Sequence, residues 1–237
     1  MKPTISVIIP ALNEEKNIES TVKNILSAIN DNFSDYEIII FDDSSSDATG
    51  DIAEEISAAN KRIRVIHNEK TMGLGYNYRK GIELARFEYI SMIPGDNEIA
   101  PVSIKDIYSA IGRADIIIPH TVNYYTRPML RRFFSFLFTK TLNLLFNLRL
   151  NYYNGPVIHK KKLIKSVGLS TNSFAFQAEA LVKLIKSGYS YIQIGMLLNE
   201  RRYGRSKALH PKNIFGVVKT ILVLFFDVYL FKRIRLI

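Results

Sequence analysis

The feature that most limits what this chain can fold into is an alternation in its first half. Short β-branched apolar runs take turns with segments whose apolar residues recur at helical spacing. Residues 5–9 form such a run, closed by Pro10, as expected of a strand covered on both faces. Asn13 can cap a helix with Glu14 and Glu15 in its first turn, and Ile18, Val22, Ile25, Leu26 and Ile29 then line one side of it. Residues 36–41, 64–67, 88–93 and 116–118 read as further strands. Helices are predicted after Asp47, from Gly73 to Arg86, and over residues 104–111. This order predicts an α/β domain with a mainly parallel central sheet flanked by helices. Ligands of such sheets bind beyond the carboxyl ends of the strands.

Polar clusters stand at those ends. Asp42-Asp43-Ser44 follows the second strand. Carboxylates there can accept hydrogen bonds from a ribose or a base, although Asp and Ser are also ordinary turn and cap residues. Asp96-Asn97-Glu98 follows the fourth strand and Pro94-Gly95. Two carboxylates in an acid-x-acid turn can hold a hard divalent cation that bridges phosphate oxygens, and a solvated loop would use the same residues. Gly73-x-Gly75 opens a helix after the third strand and lacks a third glycine, so it is no dinucleotide fingerprint; close packing alone would explain it. Among the four histidines no Ser-His-Asp arrangement can be placed, which leaves acyl transfer without support.

Charge divides the chain unevenly. The 237 residues carry a net charge of +10, yet nine Lys and Arg against a single acid, Asp227, fall in residues 201–237. Between Asp115 and Glu179 there is no acidic residue, while nine basic ones occur there, among them Arg127, Arg131, Arg132 and Lys140. Such asymmetry points to an anionic partner, and aromatic and aliphatic residues mixed among the cations favour a membrane surface over nucleic acid. Arg201-Arg202-Tyr203-Gly204-Arg205-Ser206-Lys207 sets four cations in seven residues, chemistry suited to a diphosphate or a lipid phosphate. The absence of cysteine excludes a disulfide framework, a thiolate zinc site and a cysteine nucleophile.

Residues 129–150 read as an amphipathic helix with Leu130, Phe133, Phe134, Leu137, Phe138, Leu142 and Leu145 as its apolar stripe and Arg131, Arg132 and Lys140 opposite. Residues 214–231 are apolar but interrupted by Lys219 and Asp227, short of the roughly 20 apolar residues that a span needs, and read as a helix lying in the interface. The N-terminus has too short an apolar run for a signal peptide. The expected organisation is a catalytic domain over residues 1–210 and a basic, apolar, membrane-associating tail over 211–237.

Ile8-Ile9-Pro10-Ala11-Leu12-Asn13-Glu14, Asp42-Asp43-Ser44-Ser45-Ser46-Asp47, Gly73-Leu74-Gly75 through Arg79-Lys80-Gly81, Asp96-Asn97-Glu98 and Arg201 to Lys207 follow one another in an order that resembles family 2 glycosyltransferases of the GT-A fold. Within that family the pattern looks most like the dolichol-phosphate mannosyltransferase and polyprenyl-phosphate glycosyltransferase branch. The resemblance implies a nucleotide site at Pro10, Leu12, Glu14, Phe41 and Asp43, with Asn97 at the donor diphosphate. It implies Mg²⁺ or Mn²⁺ on Asp96 and Glu98, phosphate contacts from Arg201 and Lys207, and Glu179 near the acceptor as a base or a positioning group. The implied reaction is an inverting transfer of sugar from a UDP- or GDP-sugar to a polyprenyl phosphate, by a peripheral protein on the cytoplasmic face of a membrane. A saccharide acceptor and a catalytically idle membrane-surface scaffold are the alternatives. The chain departs from the family pattern in two places: Glu98-Ile99-Ala100 stands where Asp-Gln-His is usual, and Tyr152-Tyr153-Asn154-Gly155-Pro156 replaces Asp-x-x-Ser-Gly-Phe-Arg.

Overall fold

Alternate residues of the first two strands feed two different cores. Ile5, Val7 and Ile9 of β1 (Thr4–Ala11), with Ile38 and Ile40 of β2 (Asp35–Asp42), pack on Ile18, Val22 and Ile25 of α1 (Ile18–Ile29) and Ile104 and Ile107 of α4 (Pro101–Ser109). Ile8, Ile39 and Phe41 point to the opposite face, against Tyr78 and Ile82 of α3 (Leu74–Leu84) and Leu181 and Leu184 of α7 (Phe176–Lys186). The period-two alternation of a strand is what allows one sheet to seal against helices on both sides. This computed structural model describes residues 2–29, 32–199 and 211–230.

The sheet has seven strands in the order β3-β2-β1-β4-β6-β5-β7, completed by β3 (Ile63–His67), β4 (Tyr89–Met92), β5 (Ile116–Thr121), β6 (Ile158–Lys160) and β7 (Tyr191–Met196). β6 runs antiparallel to β4 and β5, and the other pairings are parallel. The α/β fold with a mainly parallel sheet is thus as the alternation predicts. The chain winds from β1 through β2 to β3 on one side and returns to β4 on the other, so the strand order reverses between β1 and β4. Their carboxyl ends make a switch-point crevice.

Four elements have no counterpart in the sequence pattern: β6, β7, α6 (Lys161–Val167) and a 3-10 turn at Tyr124–Thr126. The remaining helices are α2 (Thr49–Ala59), α5 (Met129–Phe146) and α8 (Pro211–Tyr229). The helix expected over 129–150 stops at Phe146, because Asn147 turns into the left-handed region (φ 48°), a conformation asparagine tolerates at a helix end. Of the apolar stripe expected on α5, Leu142 is buried in the core, while the residues nearer the N-terminus stay uncovered. Only Thr139, Leu142 and Phe146 are buried, whereas Leu130, Phe133, Phe134 and Leu137 are exposed. The helix docks by its C-terminal half, and Arg131 in its first turn reaches the Glu98 carboxylate.

α8 shares the core on that side of the sheet through Leu224 and Val228. Tyr229 stacks on Phe146 of α5 and its hydroxyl donates to the Leu145 carbonyl at 2.9 Å. Midway along α8, Thr220 bonds the hydroxyls of Thr171 and Ser173. The compositional boundary near residue 210 therefore lies beside a helix with its own place in the core. Among the described residues no helix is long and apolar enough to cross a membrane.

Candidate active site

The loops after β1, β2 and β4 meet in the switch-point crevice because both neighbours of β1 are fastened to its last carbonyls. The Asp43 N–H donates to Ala11 at 2.8 Å and the Gly95 N–H to Pro10 at 3.0 Å. The first two loops are then laced to each other. Asn13 Oδ1 accepts the Ser46 N–H, the Glu14 N–H reaches Thr49 Oγ1 at 2.7 Å, and the Glu15 carboxylate accepts the Ala48 N–H. Asn13 (φ 58°), Ser44 (φ 66°) and Asn97 (φ 53°), one in each loop, hold left-handed backbone. Such strain in non-glycine residues persists where the surroundings over-determine it, and it gathers at binding sites.

Asp43 is buried and its carboxylate is fully engaged. Asn68 Nδ2 and the Met72 N–H donate to Oδ1 at 2.7 and 2.8 Å, and the Gly73 N–H donates to Oδ2 at 2.9 Å. Asp43 thereby fixes the 68–73 loop and the start of α3. Gly73 there takes a φ of 88°, which a side chain would resist, and a Cβ on Gly75 would lie 2.6 Å from the Asn172 backbone. The packing explanation of this glycine pair suffices. Asp42 faces the other way, bridged by His67 Nδ1 at 2.9 Å, while His67 Nε2 meets Glu54 at 2.9 Å. Burial would raise the Asp42 pKa, but bonds from Ser45 and His67 outweigh it and hold the carboxyl below its ordinary value. Hydrogen bonds to Asp42 and Glu54 raise that of His67.

In the acid turn, Asn97 Oδ1 accepts from Asn24 Nδ2, and the Glu98 N–H lies 3.3 Å from Asp96 Oδ1. The Glu98 carboxylate faces two guanidiniums, Arg131 at 3.5 Å and Arg127 at 3.8 Å. Arg127 also donates to the Tyr152 hydroxyl at 2.9 Å and lies over that ring. Burial works against its charge, but Tyr152, Glu98 and Asp96 outweigh that and raise its pKa. The chain leaving β7 is clamped to the same turn: the Asn199 N–H donates to the Glu98 carbonyl at 2.7 Å, and Leu198 bridges Ile99. Asp96 and Glu98 are the hard oxygen donors that Mg²⁺ or Mn²⁺ takes, and both residues are part-exposed. Among the described residues no group of three or more His, Asp or Glu could hold a metal. A cation here would therefore take its remaining oxygens from a ligand or water, as Mg²⁺ commonly does.

The structure brings Pro10, Leu12, Glu14, Asp43, Asp96, Asn97 and Glu98 around one crevice, whereas the Phe41 ring is wholly buried in the core beside Tyr78. Glu179 is placed otherwise than a free base requires. It is 2% exposed, and its carboxylate accepts from the Ser170 and Thr171 N–H groups, the Ser170 hydroxyl and Lys183 Nζ at 2.7 Å. Burial would raise its pKa, yet Lys183 and these bonds hold it below the ordinary value. It ties down the 168–173 turn. Arg201 and Lys207 lie outside the described residues. Nothing in the sequence pattern places Asn24, Asn68, Tyr152 or Asn199 at the site, and Arg127 and Arg131 read there only as charge.

A model of glycosyl transferase family 2 matches residues 6–181, and the chain belongs to that family. The glycosyltransferase GlyG of Streptococcus pneumoniae is 32% identical over 126 residues, which is 52% of this chain and 41% of that protein; this chain thus spans well under half of that relative's length. Glucosyl-3-phosphoglycerate synthase from Mycobacterium tuberculosis, solved with Mn²⁺, uridine diphosphate and glucosyl-3-phosphoglycerate, superposes with a TM-score of 0.67 at 17% identity, over 94% of this chain and 80% of that one. Staphylococcus aureus TarS gives 0.60 at 20% identity, over 96% of this chain and 66% of the other. The sheet and its flanking helices are those of the GT-A fold.

Proposed function

We propose that this chain transfers a sugar from a nucleotide-diphosphate donor to a polyprenyl phosphate at an anionic bilayer surface, on the cytoplasmic face. The donor half rests on family membership and on the crevice of Glu14, Asp43 and Asp96-Asn97-Glu98 at the switch point. Asp43 and the laced loops hold that crevice in shape before a nucleotide arrives. Asp96 and Glu98 would hold Mg²⁺ or Mn²⁺, which supplies neutralisation of the charge that develops on the leaving diphosphate. Arg201 and Lys207 follow the clamped Asn199 in sequence and would add cations to the same diphosphate.

One observation carries the acceptor half: the exposed apolar turns of α5, with Leu130, Phe133 and Leu137, begin beside the acid turn, because Arg131 of the same helix pairs with Glu98. A lipid lying along that helix would bring its head group to the crevice. The lipid phosphate is anionic near neutral pH and attacks without a strong base, which agrees with a Glu179 that is spent on its turn. The lysines and arginines of α5 would hold that helix to anionic lipid, each contributing about 1 kcal/mol near the surface.

The test is a donor screen of UDP- and GDP-sugars with a short polyprenyl phosphate, read by mass, with and without chelator. A glycosylated lipid phosphate that forms only with the divalent cation is expected. Transfer to a saccharide but to no lipid phosphate would overturn the acceptor, and absence of any nucleotide binding would leave a surface scaffold.

A further inference from the structure

The acid turn is gripped from two sides by residues outside its own motif. Asn97, between Asp96 and Glu98, holds left-handed backbone (φ 53°), a conformation that strains a residue with a side chain and persists where neighbours enforce it. α1 takes its side chain: Asn24 Nδ2 donates to Asn97 Oδ1 at 2.9 Å. One turn earlier in the same helix, the buried Thr21 hydroxyl donates to the Gly95 carbonyl at 3.0 Å. The chain leaving β7 takes the backbone, with Asn199 Nδ2 donating to the Asn97 carbonyl at 3.3 Å and the Asn199 N–H to the Glu98 carbonyl at 2.7 Å. A Cβ on Gly95 would lie 3.1 Å from side-chain atoms of Ala11 and Ile18, so the turn starts pressed against β1 and α1. Asp96 and Glu98 flank this one residue, and the backbone angles of Asn97 therefore set the separation of their carboxylates.

We propose that Asn24 is a positioning residue for the divalent cation: by holding Asn97 left-handed it sets the two carboxylates at chelating distance before the metal arrives, and Asn199 closes the clamp from the other side. This rests on the reading of Asp96 and Glu98 as cation ligands given above. Asn24 acts through Asn97 and supplies no ligand itself. A pair of carboxylates ordered in advance loses little freedom when the cation binds, whereas a turn free to leave the left-handed region would have to be ordered by the metal. Hydrogen-bonding groups behind metal ligands are commonly worth about 10- to 100-fold in metal affinity, and one that acts through an intervening residue belongs at the lower end.

Calorimetric titration of Mn²⁺ into the full chain with UDP, and separately with GDP, tests this without turnover. Asn24→Ala should weaken Mn²⁺ about tenfold. Binding of the nucleotide alone and thermal stability should stay near wild type, since Asn24 and Asn97 are both part-exposed. Asn97→Gly removes the oxygen through which Asn24 acts, so in that background Asn24→Ala should change Mn²⁺ affinity by less than about twofold. Wild-type Mn²⁺ affinity in Asn24→Ala overturns the proposal, and so does a tenfold loss that persists beside Asn97→Gly. An equal loss of nucleotide binding without metal would mark a general loosening of the crevice and overturn it too. If the wild type takes up no Mn²⁺ with either nucleotide, the cation reading itself falls and the clamp with it, an outcome distinct from a wild type that binds Mn²⁺ and an Asn24→Ala protein that binds it equally well.

Discussion

The crevice between β1, β2 and β4 and the surface formed by α5 and α8 use their side chains in opposite ways. In the crevice, polar groups are spent on one another: Asn13 on Ser46, Asp43 on Asn68 and the 72–73 amides, Asp42 on His67. On α5 and α8, large apolar side chains stand in solvent, with Phe133 59%, Phe215 73% and Leu144 84% exposed. A region whose groups are mutually satisfied is pre-shaped for its ligand, so little ordering is left for binding to impose. Exposed apolar surface of this kind is suited to a partner, and under the proposed function that partner is anionic lipid. The comparison separates residues that hold the fold from residues that meet a partner.

The sharpest way to break this comparison is at Asp43. Asp43→Ala takes the shared acceptor from three part-buried donors and should destabilise the chain by about 1–3 kcal/mol, because donors left unsatisfied away from water carry a desolvation penalty. Donor affinity should fall with it, since the 68–73 loop and the start of α3 lose their tether, while vesicle binding stays. Chemical denaturation with a nucleotide titration checks both. A variant of wild-type stability would return Asp43 to direct ligand contact alone.

A smaller effect is expected at His67. Its pKa is raised in the folded chain by Asp42 and Glu54, so its contribution is complete below about pH 6.5 and fades as pH rises through the folded value. Asp42, lowered by Ser45 and His67 against its burial, contributes above about pH 4 and loses that only as pH falls through its folded value. The link is therefore strongest in mildly acidic solution. His67→Gln should flatten the pH dependence of thermal stability between about pH 6.5 and 8, by no more than about 1 kcal/mol for a half-exposed pair. An unaltered pH profile would mean that the bridge carries no charge.

Much of the first region is legible in sequence because its signals are local. Period-two and helical patterns fix β1 to β5 and α1 to α4, and the strand-end rule then collects Glu14, Asp43 and Asp96 without any contact being known. What each side chain does there is not legible, since the partners are distant in sequence: Asp43 with Gly73, Glu98 with Arg131, Tyr152 with Arg127. β6 has three residues and exists because β4 and β5 flank it, and nothing in its own pattern announces that. The α5 stripe is legible as apolar, but what covers it is not. An apolar arc shows that a face avoids water, not whether protein or lipid covers it.

That last ambiguity yields the smallest expected change in stability and the clearest difference in behaviour. Phe133 and Leu137 are 59% and 50% exposed and belong to the part of α5 that the core does not hold. Replacing both by serine removes apolar area that folding never buried, so denaturant stability should move by no more than about 0.5 kcal/mol. The same change removes area that a bilayer would bury, at about 25 cal/mol per Å². Sedimentation with anionic vesicles should therefore show several-fold weaker partitioning for the Phe133→Ser, Leu137→Ser protein, most plainly in high salt, where the basic residues are screened and apolar insertion is what remains. The outcome that would sink the reading is equal partitioning of both proteins at high salt. A loss of stability instead, together with a concentration-dependent mass for the wild type, would assign the face to a second copy of this chain.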